Sequence, residues 1–206
     1  MEIKICGIRR KEDIQIINKY KPDYIGFIFA HTRRYITPEA AGELSDMLSG
    51  DIKTVGVFVD EEPERVREIA VIAGLDVIQL HGEEDEEYIR SLDTNCEIWK
   101  AIRVRANQSI PEMNGVDKFL LDKYDVKEYG GTGKSFDWNT AIEKHTDKPL
   151  ILAGGLDKDN VKKGIEIFHP VCVDVSSSVE TDGFKDEKKI KEFIDAVRRF
   201  ENEQNR

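Results

Sequence analysis

The sequence predicts a single-domain α/β protein of the (β/α)8 TIM-barrel class, on three observations. Short, nearly continuous apolar runs alternate with charged stretches of helical spacing, the pattern of parallel strands buried on both faces. Eight such runs in 206 residues leave about 26 residues per unit, near the lower size limit of an eightfold barrel. No Gly-rich dinucleotide loop follows the first run, which disfavours a doubly wound open sheet.

The expected strands are Glu2–Cys6, Asp23–Phe29, Thr54–Val59, Val77–Leu80, Glu97–Ile102, Lys118–Leu121, Leu150–Ala153 and Cys172–Val175. Helices are expected over Lys11–Lys19, Pro38–Leu48, Pro63–Ala73, Asp85–Leu92, Trp138–Lys144, Lys158–Ile167 and Asp186–Phe200. Two of these begin with proline, which is pre-set for a first helical turn, and Thr37 stands where it can cap the Pro38 helix. Pro111 weakens any helix over Ala106–Gly115. The barrel is expected over residues 1–200, with a frayed polar tail at 201–206.

Hydrophobic residues make up 39% and charged residues 35%, a globular composition with a heavily charged surface. A net charge of −10 argues against a nucleic-acid or anionic-membrane binder, which needs a basic face. It leaves room for a small anionic ligand in a locally positive pocket. Three widely spaced cysteines, Cys6, Cys96 and Cys172, fit neither a disulfide framework nor a zinc site. Together with the lack of a signal-like N-terminus or a long apolar run, they point to the cytoplasm. No metal or cofactor is expected, and the oligomeric state stays open between monomer and homodimer.

In a barrel, chemistry collects at the C-terminal ends of the strands and in the loops that follow. That rule selects Cys6 after the first strand, Arg34 in the loop after the second, His81 after the fourth, Asp122 after the sixth, Gly154 and Gly155 after the seventh, and Asp174, Ser176 and Ser177 at the eighth. Most lone cysteines are small buried hydrophobes, His81 could orient a substrate or simply bond a neighbouring loop, and an arginine beside Arg33 is often a surface residue. Paired glycines and serines at a helix start can cradle a phosphate, and the loops after strands seven and eight are where barrels commonly bind one. The segment Tyr129-Gly130-Gly131-Thr132-Gly133-Lys134-Ser135 is not a nucleotide phosphate loop, because Glu128 stands where the leading glycine belongs. It suits a lid instead.

The combination and order of Lys4-Ile5-Cys6-Gly7-Ile8, Arg34-Tyr35-Ile36, Gln79-Leu80-His81-Gly82, Leu120-Leu121-Asp122, Gly130–Trp138, Ala153-Gly154-Gly155-Leu156 and Asp174-Val175-Ser176-Ser177 resembles the phosphoribosylanthranilate isomerase family, essentially end to end. The resemblance implies an Amadori rearrangement of a phosphosugar in tryptophan biosynthesis. It implies Cys6 as general base, Asp122 as general acid, Arg34 on the substrate carboxylate, and the glycines and serines of the last two loops as the phosphate cradle. A thiolate base is favoured by nearby positive charge, and Lys4 shares the side-chain parity of Cys6. Two positions depart from the family pattern: Ser178 replaces a usual glycine, and Thr32-Arg33 replaces Ser-Pro. The competing readings are another sugar-phosphate barrel isomerase and a non-catalytic phosphosugar-binding barrel. The related isomerases of histidine synthesis resemble a carboxylate pair where this chain offers Cys6, and a binding module has no use for an acid–base pair.

Overall fold

A computed structural model describes residues 1–104, 110–123 and 146–204. Eight parallel strands close into a barrel in sequence order: β1 (Glu2–Cys6), β2 (Tyr24–Ile28), β3 (Lys53–Phe58), β4 (Val77–Leu80), β5 (Glu97–Val104), β6 (Lys118–Lys123), β7 (Leu150–Leu152) and β8 (Cys172–Val175), with β8 returning to pair with β1. The helices are α1 (Lys11–Tyr20), α2 (Pro38–Ser45), α3 (Pro63–Ala73), α4 (Glu86–Ser91), α5 (Val161–Phe168) and α6 (Glu187–Gln204). The last helix runs beyond Phe200, where a frayed tail was expected. The expected helix Trp138–Lys144 and the Gly-rich lid at Tyr129–Ser135 lie outside the described residues.

Local chemistry explains the element boundaries. Thr37 accepts the Ala40 N–H at the start of α2, Asp85 accepts the Tyr88 N–H at the start of α4, and Pro63 opens α3. One pair of strands was not anticipated: β9 (Glu180–Thr181) and β10 (Phe184–Lys185) form a hairpin after β8. Its turn residues Asp182 and Gly183 both have positive φ, the signature of a tight Asp-Gly hairpin. The hairpin is held against the start of α1, where Arg10 stacks 4.0 Å over the Phe184 ring and Arg9 donates to the Gly183 carbonyl at 2.6 Å.

Side chains alternate along each strand, so the barrel has two apolar layers. Tyr24, Val55, Val77, Trp99, Leu120 and Ile151 face inward, with Cys172 among them. Tyr24 meets Trp99 edge-on at 4.9 Å. The opposite parity, including Ile3, Ile25, Ile78, Phe119 and Val173, packs with the helices. Two residues further along the inward parity, the strands present Cys6, Val57, Gln79, Asp122 and Asp174 at the C-terminal mouth.

The opposite end carries a recurrent device. The residue just before β2, β4 and β6 is an aspartate, and each accepts the backbone N–H of the preceding odd-numbered strand. Asp23 takes Ile3 at 2.8 Å, Asp76 takes Thr54 at 2.7 Å and Asp117 takes Ile98 at 2.7 Å. These contacts pin the register far from the mouth. Each Asp→Ala change should cost about 1 kcal/mol, the three should add because the sites share no partner, and kcat should not change. Urea melts beside turnover assays check this; a variant that loses activity while keeping its stability would contradict it.

Candidate active site

The C-terminal mouth holds a cavity of about 380 Å³, and every site residue selected from the sequence lines it: Cys6, Arg34, His81, Asp122, the Gly154-Gly155 pair, Asp174, Ser176 and Ser177. Beneath it lies a buried ion pair. The barrel register sets Lys4 beside Asp174, and the Lys4 ammonium, with no exposed surface, bonds the Asp174 carboxylate at 2.9 Å. Burial pulls the lysine down, but Asp174 and Cys6 outweigh it and leave Lys4 raised above its ordinary value. Asp174 Oδ1 is buried without a hydrogen-bond partner, although the residue lines the cavity.

Cys6 is 6% exposed. Its room is borrowed from the neighbouring strand: a Cβ on Gly26, its register partner, would lie 2.7 Å from Sγ and 3.2 Å from the Cys6 Cα. The expected effect of Lys4 on the thiol is present but does not prevail. Burial pushes Cys6 up, Lys4 pulls it down, Asp174 pushes it up again, and the net shift is upward. The reason is chiefly the burial of the thiol itself, with Asp174 in the same layer adding to it.

Arg34 approaches from the loop after β2, 18% exposed along its side chain. Its Nε and Nη2 grip Glu180 at 2.8 and 3.0 Å, which leaves the Nη1 edge of the fork for another anion. Glu180 also accepts from the buried Lys185 at 2.9 Å. Burial pushes Glu180 up, yet Arg34 and Lys185 together hold it down to about 2. Arg33 lies farther from Glu180, at 3.6 Å, and is largely exposed. Sequence reasoning missed Glu180 and Lys185; the Asp182-Gly183 turn signal could have placed both on a hairpin folded back to the mouth.

Asp122, on β6, meets the His81 ring at 3.0 Å between Oδ2 and Nε2, and the other ring nitrogen, Nδ1, lies 3.0 Å from the Gln79 amide. Gln79 is 2% exposed and was not selected from the sequence, because its strand reads as apolar core.

The phosphate-type loops are open. Gly154 and Gly155 both have positive φ, at 80° and 74°, and a Cβ on Gly155 would meet nothing within 4 Å. Their N–H groups have no partner among the described residues. A short 3-10 turn, Ser177–Val179, follows β8. Ser176 is only partly available, because its hydroxyl donates to the Cys6 carbonyl at 3.0 Å. The departure at Ser178 is accommodated: its φ is not positive, and its hydroxyl bonds the Leu156 carbonyl, tying the eighth loop to the seventh. Among the described residues no group of acidic, histidine or cysteine side chains could hold a metal ion, and no helix is long and apolar enough to cross a membrane.

Gly26→Ala tests the fit around the thiol. The added methyl must displace Cys6, and a misplacement near 1 Å can cost about 10²-fold in rate. We expect kcat to fall by roughly that much, with a much smaller change in KM. Unchanged kcat would show that the mouth has slack the structure does not contain.

Residues 3–196 match the family model for N-(5'-phosphoribosyl)anthranilate isomerase. The isomerase of Clostridium acetobutylicum is 52% identical, over 97% of this chain and 99% of that protein. That of Thermoanaerobacter pseudethanolicus is 47% identical, over 96% and 98%. Among solved structures, the Thermus thermophilus enzyme superposes with a TM-score of 0.84 at 30% identity, covering 97% of this chain and 99% of its own. With an eight-stranded parallel barrel, a thiol and a carboxylic acid at one mouth, and near-complete matches in both sequence and structure, the chain belongs to the N-(5'-phosphoribosyl)anthranilate isomerase family.

Proposed function

We propose that this chain converts N-(5-phosphoribosyl)anthranilate into 1-(2-carboxyphenylamino)-1-deoxyribulose 5-phosphate by an Amadori rearrangement, with Asp122 as general acid and Cys6 as general base. The observation that carries this reading is that both groups line one cavity, with open glycine N–H groups and a half-used arginine fork at the same mouth. Support for the ligand class comes from a relative solved in complex with reduced 1-(o-carboxyphenylamino)-1-deoxyribulose 5-phosphate, 32% identical, with a TM-score of 0.75, over 96% of this chain and 98% of its own.

In this reading Asp122 gives its proton to the ribose ring oxygen. The C1–O bond breaks as the nitrogen lone pair forms C1=N, an iminium. Cys6 as thiolate then takes the proton from C2, and the C–H electrons form C1=C2 while the iminium electrons return to nitrogen. The enolamine relaxes to the ketone. Burial makes the thiolate costly in the empty pocket, and the iminium cation lowers that cost when it forms beside the sulfur. Gly154, Gly155, Ser177 and the part-engaged Ser176 hold the phosphate, Asp174 lines the sugar's part of the cavity, and Arg34 meets the anthranilate carboxylate with its Nη1 edge. The compartment is read as a reducing cytoplasm, in keeping with three free thiols. The chain works alone or as a homodimer.

The decisive experiment follows anthranilate fluorescence on turnover. Cys6→Ala and Asp122→Asn should each lose about 10²–10⁴-fold in kcat, the ordinary contribution of a positioned base or acid. Either variant keeping more than about a tenth of wild-type kcat overturns its assignment.

Arg34→Ala should raise KM about ten- to a hundredfold, as expected for losing a charge-assisted fork. Because the same change strands Glu180 beside Lys185, melting temperature should be measured alongside KM. Arg33→Ala should do far less; the reverse order would put the wrong arginine at the carboxylate.

A further inference from the structure

The reaction as read leaves a proton out of place. Asp122 gives one to the ring oxygen and Cys6 takes one from C2. If the enolamine relaxes to the ketone without the enzyme, each turnover ends with a protonated thiol and a bare carboxylate. The next turnover needs the opposite, so a proton must leave Cys6 for water and another must reach Asp122. A carboxyl in water holds its proton only below about pH 4, so direct reloading near neutrality is rare, and a nearby group that carries protons at that pH solves the problem.

His81 is placed for that task. Its Nε2 is 3.0 Å from Asp122 Oδ2, and the ring is partly open to solvent. Imidazole is the side chain whose ordinary titration spans neutral pH. The other charged groups near this contact are spoken for. On β5, between β4 and β6, Lys100 pairs with Glu84 at 2.7 Å and Arg103 with Glu83 at 3.7 Å. From β3 the mouth presents Val57 and Val59, and after β7 Ala153. Among the described residues His81 is therefore the titratable group facing Asp122.

Gln79 completes the chain. Its amide meets His81 Nδ1 at 3.0 Å, and its other end, Oε1 as placed, is buried with no partner. With Nε2 toward the ring, Gln79 donates to Nδ1, so the ring proton sits on Nε2 and is shared with an Asp122 carboxylate. With the amide turned over, Oε1 accepts an Nδ1–H instead. The ring can then be an imidazolium, or can accept from a protonated Asp122. An amide serves both states, whereas a pure donor or a pure acceptor serves one. Because no neighbour holds Oε1, neither orientation is locked.

We propose that His81 reloads Asp122 with the proton spent on ring opening, and that Gln79 is the positioning residue that lets the imidazole carry it. The transfer balances. Imidazolium Nε2–H breaks and Asp122 O–H forms, leaving neutral His81 with its proton on Nδ1 against Gln79 Oε1. Water restores the imidazolium after Asp122 is spent. The inference rests on the reading of Asp122 as the acid, and it concerns His81 and Gln79 acting through that carboxylate.

The test is chemical rescue in dilute, non-nucleophilic buffer. His81→Ala should lower kcat about ten- to a hundredfold with less than about a twofold change in KM, since the histidine is not asked to hold substrate. Added imidazole should restore kcat in proportion to its imidazolium concentration. His81→Gln, whose amide reaches the Nε2 position and can keep a hydrogen bond to Asp122 but carries no titratable proton, should be equally slow. Gln79→Leu should lower kcat without imidazole rescue, because the ring still fills its place. Nitrogen-15 spectra of the His81 ring should then show the tautomer preference changed from wild type. A His81→Ala variant with raised KM at wild-type kcat, or one whose lost kcat does not respond to imidazole, overturns the proposal. So does an unchanged His81 tautomer in Gln79→Leu. If Asp122→Asn keeps its activity, the assignment of the acid has failed instead; if it is inactive while His81→Ala goes unrescued, only the reloading has failed.

Discussion

A lysine with no exposed surface needs an anion at contact distance, or it sheds its proton or unfolds its surroundings. Lys4 meets that need with Asp174 at 2.9 Å, 170 residues away in the chain. The pair forms only when β8 closes onto β1, so barrel closure and the electrostatics under the thiol are one event. Breaking the pair from either side would leave an uncompensated charge directly below Cys6. The same logic recurs around the mouth. Lys100 is neutralised by Glu84 and also donates to the Gly82 carbonyl at 2.6 Å, which fixes the turn that follows His81. Lys185 is neutralised by Glu180, which in turn aims Arg34. Three buried ammonium groups thus hold the first, fourth and eighth strand ends in place.

This wiring explains the charge balance of the site. The protein is strongly acidic as a whole, yet its mouth has to receive a substrate with a phosphate and a carboxylate. Lys4 with Asp174, and Lys185 with Glu180, cancel in pairs. Arg34 is the positive charge left over, and open backbone N–H groups after β7 add partial positive charge at a second place. The pocket therefore carries positive character at two separated points, with Cys6 and Asp122 lining the same cavity.

Much of this was legible in the sequence because parallel strands read as continuous apolar runs and strand parity is strict. Once Cys6, His81, Asp122 and Asp174 were placed at strand ends, inward parity was enough to send all four to one cavity. What escaped the sequence depended on closure or on irregular chain. The Lys4–Asp174 pair spans the first and last strands, so no local pattern announces it. Gln79 sits in Val77-Ile78-Gln79-Leu80 and looks like a polar residue tolerated in core. Glu180 and Lys185 lie on a hairpin of two-residue strands, too short for a periodic signal, although Asp182-Gly183 marked its turn. Lys4 does pull the thiol down, as its parity suggested, but burial pushes Cys6 up by more; proximity is visible in a sequence, while the desolvation of a closed barrel layer is not.

The vacancy at Gly26 has a consequence for how such a site can change. The thiol on the first strand occupies volume that any side chain on the second would claim, so positions 6 and 26 form a single steric unit. A methyl at 26 would stand 2.7 Å from the Cys6 sulfur and evict it, so whatever side chain is chosen at 6 depends on the bare backbone at 26. A designer seeking a new proton acceptor on this scaffold must treat two adjacent strands as one mutable element.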